Sequence, residues 1–444
     1  MKVRGSLSRL ATGSIRPLVL AILALLSLTA ISATDARTIT LQKIGDYQTG
    51  FFDEGGSEIV AYSERSQRLY SVNAAETSVD IIDLSDPANP TLVSTIDASA
   101  YGASANSVAV YGRWVAVAIE ADPKTDPGKL VFFDLDGNYV NDLTIGALPD
   151  MVTFTARGRY VVVANEGEPN DDYSIDPEGT VSIIEVGRNP GTLTQADVKT
   201  ADFNAFNDAE LDPSIRIFGP GATVAQDVEP EYITTTRNQR WAYVTLQENN
   251  AIALVDLKKA EVKSMTGLGF KDHSLKGNGL DASDKDDAVN IANWPVYGMF
   301  QPDAIVSYTG AGGEFLVTAN EGDARDYDTF AEEERVKDLV LDPTAFPNAE
   351  YLQEDENLGR LTVSTVNGQK AGSDEYEALY AFGARSFSIW DTEGNLLYDS
   401  GDTLEQVTAA AYPTEFNSNN DENDSFDNRS DNKGPEPEEL LSAA

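Results

Sequence analysis

A three-part unit rich in β-forming residues recurs along this chain from about residue 58 onward. Each copy opens with an acidic or polar residue and a short strand. After a turn, a large apolar residue leads into a second strand. The unit ends in a third strand whose last residue is usually an acid. The second copy shows all three parts, at Ser107–Ala109, Arg113–Val115 and Leu130–Asp134. Such a unit can bury its faces only against its neighbours, so the chain is expected to fold as a repeat array.

The length of the repeat predicts the architecture. Runs of β-branched and aromatic residues between Gly, Asn, Asp and Pro predict strands. Units of about 40–50 residues with three or four strands are typical of β-propeller blades, so we predict an all-β propeller over residues 40–438. The third strand of the fifth blade is expected at Arg360–Val363, and a sixth blade is expected to run from Leu379 to Asp391. The predicted blades start near residues 58, 107, 150, 231, 303 and 379, with insertions in the third and fourth.

The end of the chain bears on the number of blades. Pro437-Glu438 repeats the opening of a new blade, yet only residues 439–444 follow. Either a seven-bladed ring lacks its last blade, with 439–444 as the truncated end, or the ring closes with six blades. We prefer the first interpretation.

Acidic residues dominate the charge of the chain. It carries 73 Asp and Glu against 32 Lys and Arg, a net charge of −41. This balance argues against binding nucleic acids or anionic lipid surfaces, and it suits the capture of divalent cations. The absence of Cys excludes disulfides, thiolate nucleophiles and Cys-ligated zinc. The single histidine, His273, excludes a multi-His metal site within the chain and is expected to be an exposed loop residue rather than a catalytic base.

The first 33 residues have the pattern of a secretory signal. Four basic residues precede the apolar run Leu18–Ile31, and small residues follow at Ser32-Ala33. This run is shorter than the ~20 apolar residues of a membrane span, although an uncleaved anchor is the alternative. We predict a signal peptide over residues 1–33 and an exported protein, periplasmic, cell-surface or extracellular. No membrane span is expected after cleavage, and we expect a monomer.

Two acidic loops nearly match each other. Ala164–Glu168 and Ala319–Asp323 each follow a Val-rich strand. Closely spaced carboxylates repel one another unless cations or water screen them, and their hard oxygens suit Ca²⁺, with Mg²⁺ as the alternative. The opposing interpretation is a solvated acidic rim. The loop acids that we expect to bind a cation are Glu166, Glu168, Glu321 and Asp323, and we expect no organic cofactor.

For two further acidic segments, the sequence leaves open whether they bind a cation. Gly279–Asp287 lies in a polar insertion, but it lacks the Gly and the terminal Glu of a helix-loop-helix calcium loop. Asn417–Glu438 is rich in acids and Asn, as in a disordered tether or a loop that a cation orders.

Four longer motifs resemble the choice-of-anchor I family of exported bacterial propellers, which are related to the mesenchyme-specific cell-surface glycoproteins of biomineralising animals. The similarity extends over nearly all of the chain after residue 40. It implies a seven-bladed propeller with a variable C-terminal sorting segment, and this chain departs from that pattern by ending early. The motifs are Ala319–Tyr327, Asn290–Met299, Arg385–Trp390 and Gly434–Glu438.

The resemblance also implies candidate site residues. Some bacterial relatives are labelled alkaline phosphatases, and Asp431–Glu438 is similar to a segment of the esterase-like phytase propellers. In those proteins, acids around a central channel hold calcium that binds substrate phosphate. Carried over, this makes Glu436 and Glu438 metal ligands. The acids expected at the same mouth are Glu166, Glu229, Glu231, Asp303, Glu321 and Asp323, and the first-strand acids Asp150, Glu231 and Asp303 are expected to line the channel because innermost propeller strands surround the axis.

These observations favour an exported, calcium-dependent propeller that acts as a cell-surface or matrix-associated binding protein. The alternative is a metal-dependent alkaline phosphatase or phytase-like phosphomonoesterase. That enzyme would place four or more of the acids within about 5 Å around one or two cations and would add a basic residue such as Arg325 or Arg385 to meet phosphate. The expected partners are divalent cations, with phosphorylated small molecules or surface polymers as further candidates.

Overall fold

The computed structural model of the chain describes residues 42–52, 54–310, 312–419 and 425–442. The predicted signal peptide, residues 1–33, lies outside the described residues, as do the last two residues of the predicted C-terminal remnant. The chain divides into the units Met1–Ile44 and Gly45–Ala444, and every element named below belongs to the second unit.

Four consecutive antiparallel sheets of four strands each make up the first part of this unit. In each sheet the neighbours in space are also neighbours in sequence, as in a meander. Their strands are β1 (Val60–Ser63), β2 (Arg68–Asn73), β3 (Ser78–Asp83) and β4 (Thr91–Asp97); β5 (Ser104–Tyr111), β6 (Trp114–Glu120), β7 (Pro127–Asp134) and β8 (Tyr139–Ala147); β9 (Pro149–Phe154), β10 (Tyr160–Asn165), β11 (Thr180–Glu185) and β12 (Val198–Asp202); β13 (Pro230–Thr235), β14 (Trp241–Leu246), β15 (Ala251–Asp256) and β16 (Glu261–Gly267).

The second strands of these sheets are apolar over most of their length. Every residue of β10 is buried, and β6 is buried from Val115 to Ile119. Strands covered on both faces lose the alternation of polar and apolar residues that marks a half-exposed sheet. One core cluster joins the first two sheets, with Tyr70 and Ile81 on one side and Val117 on the other.

The remaining strands form a fifth four-stranded sheet, a five-stranded sheet and two small two-stranded sheets. The structure also contains three short helices in its described part. The strands are β17 (Phe270–Asp272), β18 (Tyr297–Met299), β19 (Ile305–Gly310), β20 (Gly313–Asn320), β21 (Asp326–Tyr327), β22 (Phe330–Ala331), β23 (Glu333–Arg335), β24 (Val340–Leu341), β25 (Thr362–Ser364), β26 (Glu375–Tyr376), β27 (Tyr380–Ala381), β28 (Ser386–Asp391) and β29 (Leu396–Asp399), and the helices are α1 (Val224–Asp227), α2 (Ala349–Leu352) and α3 (Thr403–Ala411).

The fifth four-stranded sheet is assembled from distant segments. Its order is β19-β20-β28-β29, and Leu316 of β20 pairs with Trp390 of β28. The prediction that β28 belongs to a sixth blade starting near residue 379 does not hold, because this strand is the third strand of the fifth sheet. The residues between β20 and β28 contribute to a separate core that includes Val336, Leu361 and Leu379. An insertion of this kind displaces a strand along the sequence without altering its local pattern.

The segment expected to be the third strand of the fifth blade lies in the five-stranded sheet instead. That sheet has the order β17-β18-β27-β25-β23, and β25 pairs antiparallel with β23 and β27. It joins two strands that precede β19 to three strands of the insertion. The insertion is therefore tied to the segment that links the fourth sheet to the fifth.

The innermost strands bring the four-stranded sheets together. β1 contacts β5, β5 contacts β9, β9 contacts β13, and β13 contacts β19. Four-stranded sheets whose first strands neighbour one another in sequence order have the organisation of propeller blades. The fold is all-β and built mainly of antiparallel four-stranded sheets. No sheet closes on itself within the described residues, and the number of blades and the lost last blade stay predictions.

Candidate functional site

Acids at the beginnings of the innermost strands meet around one cavity of about 280 Å³. Asp150 and Glu231 are the second residues of β9 and β13, and Asp303 lies two residues before β19. Glu58, just before β1, and Glu438, from the C-terminal segment, line the same cavity. We call this space the channel cavity. Acids from three separate sheets thus share one enclosure.

The channel acids are poorly hydrated, and they repel one another. Burial raises the pKa of Asp150 to about 7, and the charges of Glu168 and Glu120 add to the shift. Burial raises the pKa of Asp303 to about 8, with further contributions from Glu321 and Asp150. The pKa of Glu231 is held well above its usual value by burial, then by Asp303. Each carboxyl group therefore resists ionisation unless positive charge enters the cavity.

Two more acids extend this negative region. Glu166 directly follows β10, and burial together with Asp150 holds its pKa well above the usual value. Glu248, two residues after β14, has a pKa raised well above its usual value by burial and then by Glu229. Glu248 was not among the site residues predicted from the sequence. Its position after the second strand of a sheet, like that of Glu166, was the signal that could have found it.

The first-strand acids have no compensating partner in the described part of the chain. No hydrogen bond or ion pair joins the side chains of Asp150, Glu231 or Asp303 to another described residue, although the backbone carbonyl of Asp303 accepts a bond from Thr245 Oγ1 at 2.9 Å. The Oε2 atom of Glu231 is buried and unpaired within the described chain. All three residues are half-buried. A carboxylate that is partly withdrawn from water and has no partner is costly, so protonation or a bound cation would stabilise these side chains.

Glu229, in contrast, belongs to a closed ion-pair network. Arg325 contacts Glu229 at 3.0 Å and also pairs with Asp227, and all three residues are buried. Arg216 pairs with Glu332 nearby, and both guanidinium groups lie against the ring of Phe218. The network fixes the loop before β13. Arg325 thus already brings a positive charge to Glu229, although burial still raises the pKa of this carboxyl to about 7.

Protein cations also occupy the positions beside other predicted ligands. The Nζ atom of Lys433 lies 3.3 Å from Glu321, 3.4 Å from Asp323 and 3.8 Å from Glu436. Glu168 pairs with Lys124. Glu321, Asp323 and Glu436 are thus brought together around one lysine, whose single charge offsets part of theirs, and Glu168 has a lysine of its own.

The predicted ligands therefore divide into two sets. Glu166, Glu231, Asp303 and Glu438 have no ion pair with another described residue, and Glu438 is exposed at the cavity edge. The other five pair with Lys or Arg. Within the residues that the structure describes, no three acidic or histidine side chains already converge as a metal-binding group.

The arginines expected to meet phosphate are enclosed in the protein. Arg325 is 3% exposed and is held by the network described above. Arg385 is also 3% exposed; it binds Glu405 at 2.6 Å and donates to the backbone carbonyls of Asp281 and Ser430. Neither guanidinium group is presented to a ligand.

His273 is not the exposed loop residue that the sequence suggested. It is 1% exposed, and its Nδ1 lies 2.7 Å from the carbonyl oxygen of Asn278. Burial lowers its pKa to about 3, and the charge of Lys271 adds to the effect. The imidazole is therefore a neutral structural group, and it cannot reach a substrate.

Sequence comparison identifies related proteins. A family model described as the choice-of-anchor I domain matches residues 58–444. Gigasin-3a of Magallana gigas is 39% identical over 97 residues, which are 21% of this chain and 34% of that protein. The mesenchyme-specific cell surface glycoprotein of Strongylocentrotus purpuratus is 30% identical over 224 residues, which are 44% of this chain and 28% of that protein. The matches thus span about a third or less of these relatives.

Solved structures resemble this chain only distantly. The Cps50 (Swd1) β-propeller domain of Myceliophteria thermophila matches with a TM-score of 0.36 and 11% identity, covering 78% of this chain and 85% of that one. A functionally unknown protein from Desulfotomaculum acetoxidans matches with a TM-score of 0.36 and 10% identity, covering 82% and 90%. At these scores the likenesses add nothing to what the strand pairing shows. Within its described part, the chain has no helix long and apolar enough to cross a bilayer.

Proposed function

The chain belongs to the choice-of-anchor I family, and from this premise we propose that it is a surface-associated β-propeller whose channel cavity binds calcium and whose binding to partners depends on that calcium. The observation that carries the proposal is the set of first-strand acids without partners. Asp150, Glu231 and Asp303 lie on three sheets, line one cavity, and have no ion pair with another described residue. Few chemical species other than a small cation would relieve all three at once.

Calcium suits this arrangement better than magnesium. Ca²⁺ accepts six to eight oxygen ligands in flexible geometry, whereas Mg²⁺ requires a near-ideal octahedron. The three acids are held by separate sheets, so their spacing is set by the fold rather than by one tight loop. Glu166 and Glu248 extend the negative region and would raise the local concentration of divalent cations.

A surface role is supported by the relatives. One of them is named a cell surface glycoprotein, and the family name refers to the choice of an anchor. A bound Ca²⁺ that keeps open coordination positions can bridge the channel to an anionic polymer or glycan outside the protein. The net charge of −41 would otherwise repel such a partner.

The phosphomonoesterase alternative receives no comparable support. It needs a basic residue that meets phosphate, and both Arg325 and Arg385 are buried in ion pairs. Lys433, another cation near these acids, is shared among three of them. We therefore do not propose phosphatase activity for this chain.

Calcium binding to purified protein tests the proposal. Titration calorimetry and melting curves should be recorded for the wild type, for Glu231→Gln and for Asp303→Asn. Each substitution removes one channel charge with little change of shape. We expect calcium to raise the melting temperature of the wild type, and each variant to bind at the channel about tenfold more weakly, or ~1.4 kcal/mol.

Glu210→Gln is the matched control, because Glu210 is exposed and lies outside the cavity. It should bind calcium as the wild type does. Equal calcium affinity in the wild type, Glu231→Gln and Asp303→Asn would rule out the channel as the site. Calcium-dependent retention of the protein on cells, reversed by chelator, is the corresponding test of the surface role.

A further inference from the structure

A second group of acids lies between the polar insertion and the C-terminal segment. Asp281 and Asp427 are 1% and 2% exposed, and Asn417 is 7% exposed. In each of these side chains, and in Asp286, one oxygen is buried without a hydrogen-bond partner among the described residues. The unpaired atoms are Asp281 Oδ1, Asp286 Oδ2, Asp427 Oδ2 and Asn417 Oδ1.

Other bonds hold these side chains in place. Asp281 Oδ2 accepts the backbone N–H of Asn290 at 2.5 Å, and Asp286 Oδ1 accepts that of Ala288 at 3.0 Å. Each carboxylate therefore has one oxygen fixed by the backbone and one that is left over. The side chains are oriented, so the unpaired oxygens are not simply free to turn elsewhere.

Asn417 and Asp427, the two members from the C-terminal segment, are both held by one hydroxyl group. Ser430 Oγ donates to Asp427 Oδ1 at 2.6 Å and accepts from Asn417 Nδ2 at 2.9 Å. Asn417 and Asp427 are therefore immediate neighbours. Asn417 also lines a cleft of about 640 Å³.

The three carboxylates are close enough to perturb one another. Burial raises the pKa of Asp281 to about 7, and the charges of Asp427, Glu405 and Asp286 add to this. Burial likewise raises the pKa of Asp427 to about 7, with Asp286 among the charges that add to it. None of the channel acids is among these perturbing groups. The cluster also shares no residue with the lining of the channel cavity.

The arginines near the cluster are engaged by other acids. Arg360 pairs with Asp284 at 2.8 Å and with Asp431 at 2.9 Å. Arg385 pairs with Glu405. No Lys or Arg among the described residues forms an ion pair with Asp281, Asp286 or Asp427. The three carboxylates consequently lack an ion-pair partner among the described residues, and Arg385, which reaches the backbone carbonyl of Asp281 at 2.6 Å, directs its charge to Glu405.

We infer that Asp281, Asp286, Asp427 and Asn417 form a second calcium site, which fastens the C-terminal segment to the insertion. The ligands would be three carboxylate oxygens and one amide oxygen, with water completing the shell of six to eight. The carboxylates are not already gathered at ligand distances. Binding therefore requires the ligands to move together, and Asp286 is placed to move because it lies on a turn whose neighbours Asp287 and Ala288 are exposed.

Counting calcium per chain by equilibrium dialysis and metal analysis tests this site. The wild type should bind one calcium more than Asp427→Asn or Asp281→Asn. At a free calcium concentration below the weakened dissociation constant of the channel, Glu231→Gln should lose a different calcium, so the double variant with Asp427→Asn should lose two. Asp287→Asn, an exposed neighbour in the same turn, should keep the full count. If only Glu231→Gln loses calcium, the channel proposal stands and this inference fails.

Melting curves separate a calcium ligand from a merely structural carboxylate. In chelator, Asp427→Asn should melt at or above the wild-type temperature, because it removes one of three repelling charges. In calcium it should melt below the wild type. A variant that melts equally far below the wild type in both conditions would overturn the inference. Asp286→Asn, on the more exposed turn, supplies the same comparison if the buried variants do not fold.

Discussion

The single histidine allows the pH dependence of the stability of the fold to be predicted for one residue. His273 is buried, its Nδ1 is engaged with the Asn278 carbonyl oxygen, and its pKa is lowered to about 3 by burial and by the charge of Lys271. An unfolded histidine titrates near ~6.5. Below that pH the unfolded chain takes up a proton that the folded protein does not. The stability that this histidine contributes is therefore fully present above pH ~6.5 and is lost as the pH falls towards 3.

The size of the loss follows from the two pKa values. One pH unit between them corresponds to ~1.4 kcal/mol. Acidifying from pH 6.5 to 5 should therefore cost about 2 kcal/mol through His273 alone. The residue is almost wholly buried, so solvent screening does not reduce this figure appreciably. Channel acids with raised pKa values change stability in the opposite direction, and a comparison with a His273 variant cancels their contribution.

Urea unfolding of the wild type and of His273→Gln at pH 7 and pH 5 measures this contribution. The variant should be less stable at pH 7, because it loses the packed ring. The difference between the two proteins should shrink by about 2 kcal/mol at pH 5, since only the wild type has a histidine to protonate. Proton NMR provides a second readout, because all imidazole signals come from one residue. A folded-state titration midpoint near 6.5, or an unchanged difference at pH 5, would refute the reasoning.

Three further predictions concern single substitutions in the second half of the chain. Arg385→Met should destabilise the fold by about 3–5 kcal/mol in urea unfolding, because it leaves Glu405 buried without its partner; a loss below ~1 kcal/mol would contradict this. Lys433→Gln removes the cation shared by the mouth acids, so calcium should raise its melting temperature more than that of the wild type. Gly322→Ala should lower the free energy of unfolding, measured in urea, by several times the ~1 kcal/mol expected for the control Gly372→Ala. Both glycines have a positive φ, but a Cβ at 322 would lie 2.0 Å from the backbone nitrogen of Gly383, whereas a Cβ at 372 would meet no atom within 4 Å.

The sequence predicted the sheets wherever strands adjacent in sequence also pair. The first strands of the five four-stranded sheets begin at Val60, Ser104, Pro149, Pro230 and Ile305, close to the starts read from the repeat. The prediction was wrong for β28, because this strand pairs with β20 across the long insertion. Local patterns specify which segments form strands, but the choice of partner is made by packing between distant segments.

The candidate site was only partly predictable for a related reason. The sequence shows acids, but not which cation each one meets. Lys433 lies more than a hundred residues from Glu321, and Arg325 about a hundred from Glu229, yet these pairs offset part of the charge of predicted ligands. Burial of His273 within a polar segment likewise has no local signature. The unpaired first-strand acids could be identified only after these long-range pairs were known.

Crystallographic location of calcium by its anomalous scattering tests the central claim most directly. Crystals grown in calcium should show an anomalous peak in the channel cavity. Oxygens of Glu231 and of Asp150 or Asp303 should lie within ~2.3–2.6 Å of the peak. A channel cavity that holds only water in saturating calcium would contradict the account.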